Sequence, residues 1–417
     1  MTLCDKSVCT GCAACLNACP FGAIVFEPNA EGFGSPIIQE SKCINCGKCK
    51  SACPQIAKIS CPTETKRVFA CWHIDKNIRR QSTSGGAFTA LAEDIIRQCG
   101  NVYGAAFDGF PKVSHVCVDS IEGLRRFQGS KYVQSEIGRT FSAVKSDIQK
   151  GRRVLFSGTP CQVAGLYAFL GKRHEELLTT VDLVCHGVPS PMVFKDYVQW
   201  VERKTNAAID EYHFRDKDIG WYLHSTKIKF SNGRWITENF FKNPYFRGFL
   251  RNYFLRQSCH SCQYAGLNRP ADITLADFWG YQGKRKDGQD RDDDKGVSMV
   301  MLNTRAGAAL FDSVKNSLIV WERSLDEAVR GNPALVEPFQ PSPLREQFWT
   351  DYQSMPFDTV VAKYMQPDKL TGWWIERYAW YGNLYRLKRL AIGKCKLQLK
   401  RLIGDTVVKK IKALRNR

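Results

Sequence analysis

Two copies of one cysteine spelling constrain this chain more than any other feature. Cys9, Cys12, Cys15 and Cys19 are followed by Pro20. Cys43, Cys46, Cys49 and Cys53 are followed by Pro54, so both runs read C-x2-C-x2-C-x3-C-P. This is the spacing that holds two 4Fe-4S clusters, each of which needs four thiolates. Three come from a tight loop whose short spacers let the backbone wrap the cluster, and the fourth comes from the other run. The expected sets are therefore Cys9, Cys12, Cys15 and Cys53 for one cluster, and Cys43, Cys46, Cys49 and Cys19 for the other. Zinc is the competing reading. It takes four ligands per ion, usually from two separated C-x2-C pairs, and a third cysteine in each tight loop exceeds that pattern. No secretory signal precedes Cys9, which argues against a disulfide framework.

The totals narrow the compartment. Eighteen cysteines among 417 residues, with no leader, point to a reducing cytoplasm and to metal. No apolar run approaches the roughly 18 residues that cross a bilayer. The net charge of +19 is unevenly spread, because residues 386–417 hold twelve Lys/Arg against Asp405 alone. In that tail Val407, Val408, Ile411 and Leu414 share a helical face ringed by Lys409, Lys410 and Lys412. This is the composition of an interfacial amphipathic helix, suited to the inner face of a membrane or to an acidic partner. The competing reading is a helix packed on its own protein. Nucleic-acid binding finds support only in the tail charge, with no matching fold signature in the body.

Taken in order, the chain divides into four stretches. Residues 1–60 form a ferredoxin-type two-cluster domain, with strand-like pieces at Ala23–Phe26 and Pro36–Ile38. Residues 54–66 read as a linker. In 66–150, Gln81–Gly86 leads into a helix over Ala87–Gln98, and Ser/Thr with paired glycines at a helix start suits either a plain cap or an anion. The loop Gln128–Val133 offers a cation, a hydroxyl and a flat ring. In 151–320, the strand Arg153–Phe156 runs through Ser157–Gln162 into a helix, and Thr180–Val184 runs through Cys185–Pro189 into another. Alternating strands and helices predict a mixed α+β or α/β core with ligands at strand C-termini. A β hairpin is expected on Asn232-Gly233, then an aromatic helix over Phe240–Leu255, strands at Asp272–Leu275 and Val297–Leu302, and a charged loop at Lys284–Lys295. Residues 321–417, aromatic and then basic, carry no assignable chemistry.

Four of the ten remaining cysteines stand out. Cys161 and Cys185 each follow a strand in polar loops, and Cys259 and Cys262 form a C-x2-C pair before another strand. Loops at strand ends of an α/β sheet meet at one edge, so these four predict a third 4Fe-4S site. Zinc remains open there, since scattered Cys4 sets also suit it.

Set together, Ser82–Phe88, Gly129–Tyr132, Ser157–Gln162, Asp182–Pro189, Phe214–Trp221, Arg256–Cys262, Asp272–Gly280 and Lys295–Ser298 resemble the coenzyme F420 hydrogenase/dehydrogenase beta-subunit family over residues 66–305, with the ferredoxin-type domain fused in front. The resemblance implies an oxidoreductase that binds FAD beside an iron–sulfur cluster and exchanges hydride at the flavin. It implies that Ser84, Gly85, Gly86, Ser130, Lys131, Tyr132, Gly158, Thr159 and Pro160 border the FAD. Lys131, His186, Arg215, Lys217 and Trp221, with Trp279, become candidate catalytic or substrate contacts. Ferredoxin or another redox protein is the implied electron partner, and a small molecule the hydride partner. Plant relatives of the fold reduce a chlorophyll derivative, so that molecule need not be the deazaflavin coenzyme. The alternative is an electron-transfer subunit of a larger complex that reduces coenzyme F420.

Overall fold

The computed structural model describes residues 3–57, 59–62, 64, 66–171, 174, 176–281 and 293–367. The chain forms two compact units, Met1–Met365 and Gln366–Arg417. The expected tail helix lies outside the described residues, as do most of the charged loop and part of the linker. No helix of the described residues is long and apolar enough to cross a membrane.

The first unit holds three sheets. β1 (Ile24–Pro28) and β2 (Gly34–Ile38) form an antiparallel hairpin between the two cysteine runs, as the strand-like pieces predict. The large sheet contains β3 (Arg67–His73), β4 (Asn101–Phe107), β5 (Val113–Val118), β6 (Val154–Gly158) and β7 (Leu178–Leu183). The third sheet is the antiparallel set β8 (Ile209–Asp216), β9 (Ser225–Phe230) and β10 (Trp235–Asn239), with β9 and β10 joined across Asn232-Gly233. β11 (Ile273–Asp277), β12 (Ser298–Leu302) and β13 (Leu318–Arg323) return to the large sheet. Its order is β13-β3-β12-β11-β7-β6-β4-β5. The central pairs β4–β6, β6–β7 and β7–β11 are parallel, and the flanking pairs are antiparallel. Parallel strands covered on both faces run continuously apolar. Val154, Leu155 and Phe156 are accordingly all buried.

Helices cover the sheet. Ala87–Arg97 and Arg305–Ser313 place Leu91, Ile95, Leu310 and Phe311 in one core cluster. Thr140–Gln149 and Pro160–Leu170 place Phe141, Val144, Val163 and Leu166 in another. Each such side chain contributes about 1.5–3 kcal/mol when fully buried. Cys12, Ala13 and Ala14 join the second cluster, so the first cysteine loop is part of this core.

Two expectations change. The large sheet runs unbroken across residue 150, where β4 pairs with β6, and β13 straddles residue 320 to pair with β3. Residues 66–323 thus share one sheet. The aromatic helix is Pro244–Leu250, not Phe240–Leu255. Proline is tolerated only in a helix's first turn, and the Asn243 side chain accepts a cap bond from Phe246 N at 2.9 Å.

Candidate functional site

The two cysteine loops fold alike. Gly11 and Asn45, each two residues after its first cysteine, have φ of +68° and +58°. Ala13 and Gly47, two residues later, have +59° and +74°. A left-handed alanine costs about 1 kcal/mol or more, a strain typical of functional loops. It turns main-chain N–H groups onto sulfur, as at Gly11 to Cys9, Ala14 to Cys12 and Lys50 to Cys49. The expected cross-pairing appears in the neighbours. Cys15 lies near Cys9, Cys12 and Cys53. Cys19, Cys43, Cys46 and Cys49 line a small cavity of about 100 Å³. Cys12 and Cys53 are buried, while Cys46 is exposed, so the second set is the outer one. Cys4 had no place in the sequence reading, yet it hydrogen-bonds to both Cys9 and Cys53.

Cys161, Cys185, Cys259 and Cys262 line one further cavity of about 30 Å³. Cys161 sits in the first turn of Pro160–Leu170, and Cys185 follows β7. Cys259 lies in the short 3-10 turn Gln257–Ser261, where Val188 N donates to its sulfur at 3.5 Å. The β7 loop is fixed by a buried pair, Arg269 to Asp182 at 3.0 Å, with Arg269 also donating to Leu183 O at 2.6 Å. Burial pushes the thiols up, Cys161 to about 11 and Cys259 to about 12. Four such groups become thiolates together only with a compensating metal charge. Among the described residues no group of three or more His, Cys, Asp or Glu is tight enough to close on a single ion. A cluster binds its thiolates through four different irons and does not ask for that closeness.

The first and third sets are adjacent. A Cβ on Gly165 would lie 2.9 Å from the Cys12 sulfur. Gly165 is one helical turn beyond Cys161, roughly 6 Å along the axis. Arg256 ties the two sets together. Its guanidinium donates to Cys9 O at 2.7 Å, Gly34 O at 3.2 Å and Gln134 Oε1 at 3.1 Å. Its charge reaches Cys9, Cys161 and Cys259.

A cavity of about 760 Å³ opens at the C-terminal ends of the parallel strands. Of the predicted residues, Ser84, Gly86, Ser130, Lys131, Tyr132, Gly158, Thr159, His186, Arg215 and Trp279 line it. Gly86 starts the helix Ala87–Arg97 with no side-chain cap, so its first N–H groups are left to the cavity. Ser130 binds Thr83 Oγ1 through its N at 2.8 Å, joining two predicted loops. Lys131 Nζ donates to Arg126 O at 2.7 Å and Gln128 O at 3.1 Å, and its burial together with the Arg126 charge pushes its pKa down to about 7. Thr159 caps its helix jointly with Gln162. Cys185 and His186 line this cavity and the cysteine cavity alike, forming the wall between them. The His186 ring stacks on Phe339 at 3.8 Å.

Four predicted residues do other work. Gly85 faces the sheet, where a Cβ would collide with Cys71 O, and its N–H donates to Ser298 Oγ at 2.9 Å. Pro160 occupies the first helical position and lines the cysteine cavity. Lys217 Nζ donates to the carbonyls of Arg79, Ser84 and Lys295 at 2.5, 2.7 and 2.8 Å, which makes it a strut. Trp221 is fully buried behind the wall, its Nε1 donating to Asp277 Oδ1 at 2.7 Å and its ring stacked on Trp279 at 4.7 Å. The sequence reading missed His224, Tyr222 and Phe339 on the cavity wall.

Residues 151–328 match the family described as the C terminus of the coenzyme F420 hydrogenase/dehydrogenase beta subunit, and residues 8–57 match the 4Fe-4S dicluster domain. The chain belongs to the coenzyme F420 hydrogenase/dehydrogenase beta-subunit family. It is an iron–sulfur electron-transfer protein of oxidoreductase type, with the dicluster domain at its N-terminal end. Among solved structures it is similar to a chain of the F420-reducing [NiFe] hydrogenase complex from Methanosarcina barkeri, studied by xenon derivatization. The identity is 16%, over 71% of this chain and 91% of that one, with a TM-score of 0.44. A likeness that distant carries no argument about function. No curated protein matches the chain significantly.

Proposed function

We propose that this protein is an iron–sulfur flavoprotein oxidoreductase, with FAD in the large cavity and a small molecule exchanging hydride there. The observation that carries the reading is the shared wall. Cys185 and His186 border both the third cysteine set and the large cavity, and Cys12 of the first set packs one helical turn from Cys161. The cysteine sets therefore form a chain that ends at the cavity.

The residues suit the group. The uncapped helix start at Gly86 and the Lys131 ammonium would face a pyrophosphate. Ser84, Ser130, Tyr132, Gly158 and Thr159 border the same space, whose volume is ordinary for a cofactor site. FAD, when bound, supplies the exchange between paired hydride electrons and the single electrons that iron–sulfur clusters carry. The chain's own part is to hold and orient. Lys131 offers its remaining N–H to an anion, His186 separates cysteines from cavity, and the aromatic residues exclude water. Ferredoxin or another redox protein would meet the outer set near exposed Cys46, where Ile44 and Phe21 are also exposed.

The family description favours a second reading, in which the chain is the beta subunit of a larger complex that reduces coenzyme F420. Acid-released flavin and iron per chain test the first reading. It expects one FAD and about twelve irons, three cubes of four. Flavin-free protein with about eight irons would leave a carrier only. Obligate co-purification with a hydrogenase or dehydrogenase subunit would favour the second reading.

A further inference from the structure

We propose that the Nε/Nη2 edge of Arg215 and the imidazole of His224 form an oxyanion subsite for the carboxylate or phosphate of a ring-bearing substrate. Arg215 ends β8, buried in the cavity wall. Its Nη1 is held by Asp277 Oδ2, and its guanidinium lies over the Trp279 ring at 5.2 Å. Asp277 also accepts from Trp221 Nε1, so both its oxygens are engaged and Arg215 is fixed in place. Arg215 Nε and Nη2 are buried and make no hydrogen bond of good geometry, although the Tyr132 hydroxyl stands nearby. They share the edge of the planar group that grips two oxygens at once.

His224 lies on the same cavity, 6% exposed. Its ring stacks on Phe240 at 4.2 Å and 11°. The Trp221 main chain stands near the ring, yet neither Nδ1 nor Nε2 makes a hydrogen bond of good geometry. An unmade buried hydrogen bond costs about 1–3 kcal/mol. Leaving several on one wall fits groups reserved for a ligand. Burial and the nearby Arg215 charge keep the imidazole neutral, so it presents one N–H and one acceptor. Lys217, bonded only to carbonyls, adds positive potential beside Arg215. Tyr222, Phe240, Phe246, Phe249 and Trp279 line the surrounding wall and suit a flat apolar body.

The inference rests on the flavin-cavity reading for the neighbour this substrate would meet. The test is calorimetric titration of the FAD-loaded protein with benzoate, phenyl phosphate and neutral benzamide. At least one anion is expected to bind tenfold or more tighter than benzamide, and which one does so names the oxyanion. His224→Phe, which keeps the stack, is expected to weaken that anion threefold or more, and Arg215→Gln tenfold or more, with flavin and iron per chain unchanged. If Arg215→Gln does not fold, His224→Phe alone decides. Equal binding of all three probes, or anion binding unaltered in His224→Phe, overturns the subsite. Anion binding seen only without FAD, and competitive with it, gives the edge to the cofactor and also overturns it. Protein that takes up no FAD yet binds benzoate with the same loss in His224→Phe retains the subsite and sinks the flavin reading instead.

Discussion

Arg256→Met tests the join between the ferredoxin-type domain and the rest. Methionine keeps most of the side chain's bulk, so little cavity forms. What disappears is the charge and every donor. Two main-chain acceptors, Cys9 O and Gly34 O, lose their bonds inside a packed interface. At about 1–2 kcal/mol each they account for roughly 2–4 kcal/mol. Gln134 turns more cheaply, because its Nε2 already donates to Thr10 O at 3.0 Å. The cation over the Phe33 ring, at 5.4 Å, adds about 0.5–1 kcal/mol. The expected loss is therefore about 3–5 kcal/mol. A second effect falls on potential. A unit charge about 7 Å away at an effective dielectric near 20 is worth roughly 2 kcal/mol, and solvent at half-buried Cys9 cuts this to about 1. Removing the charge disfavours the reduced cluster and lowers its potential by roughly 40 mV. Anaerobic urea unfolding followed by cluster absorbance reads the first effect, and a redox titration followed by electron paramagnetic resonance reads the second. Arg256→Lys should restore most of the potential but little of the stability, since lysine cannot reproduce the fork. A variant within about 0.5 kcal/mol of the parent, with unshifted potentials, would refute the account of this residue.

Gly165→Ala gains roughly 1 kcal/mol of helix propensity, yet its Cβ would lie 2.9 Å from the Cys12 sulfur; overpacking of about 1–3 kcal/mol should win, read as lower stability and lower iron content. Lys131, with its pKa near 7 in the free protein, must take up a proton when it meets an anion at higher pH. FAD affinity should therefore fall up to tenfold per unit above pH 7, and Lys131→Met should flatten the profile of the dissociation constant. The sign reverses for flavin-free stability: between about pH 7 and 10.5 the unfolded chain binds the extra proton, so stability should rise with pH across that window. Lys217→Met should leave three carbonyls without their donor and lower the unfolding free energy by about 2–4 kcal/mol, with iron per chain unchanged in the folded protein.

How much of this was legible depends on how far apart in sequence the partners lie. The twin cysteine runs were readable because their ligands are spaced by two or three residues. The shared left-handed positions at Gly11/Asn45 and Ala13/Gly47 follow from that spacing. The third set could be read because strand-end loops of a parallel sheet meet at one edge, as those after β6 and β7 do here. The Asn-Gly hairpin was equally local. Roles set by distant contacts were not readable. Lys217 meets residues 79, 84 and 295, and Trp221 meets Asp277, so a sequence cannot tell a strut from a catalytic cation. Gly85 looked like part of an anion loop, but its missing Cβ serves the approach to Cys71 and Ser298. His224 carried no signal, because only the fold strips both its nitrogens of partners. Residues 331–339, silent in sequence, supply Phe339 against His186.

Reduction of the flavin by reduced ferredoxin, followed by stopped flow in the parent and in Cys259→Ser, tests the central claim most directly. The account predicts that the serine variant loses about four irons of twelve, keeps its ferredoxin-type clusters reducible, and reduces its flavin at least tenfold more slowly. Flavin reduction at the parental rate in a variant that has lost that iron would contradict a path through the third cysteine set.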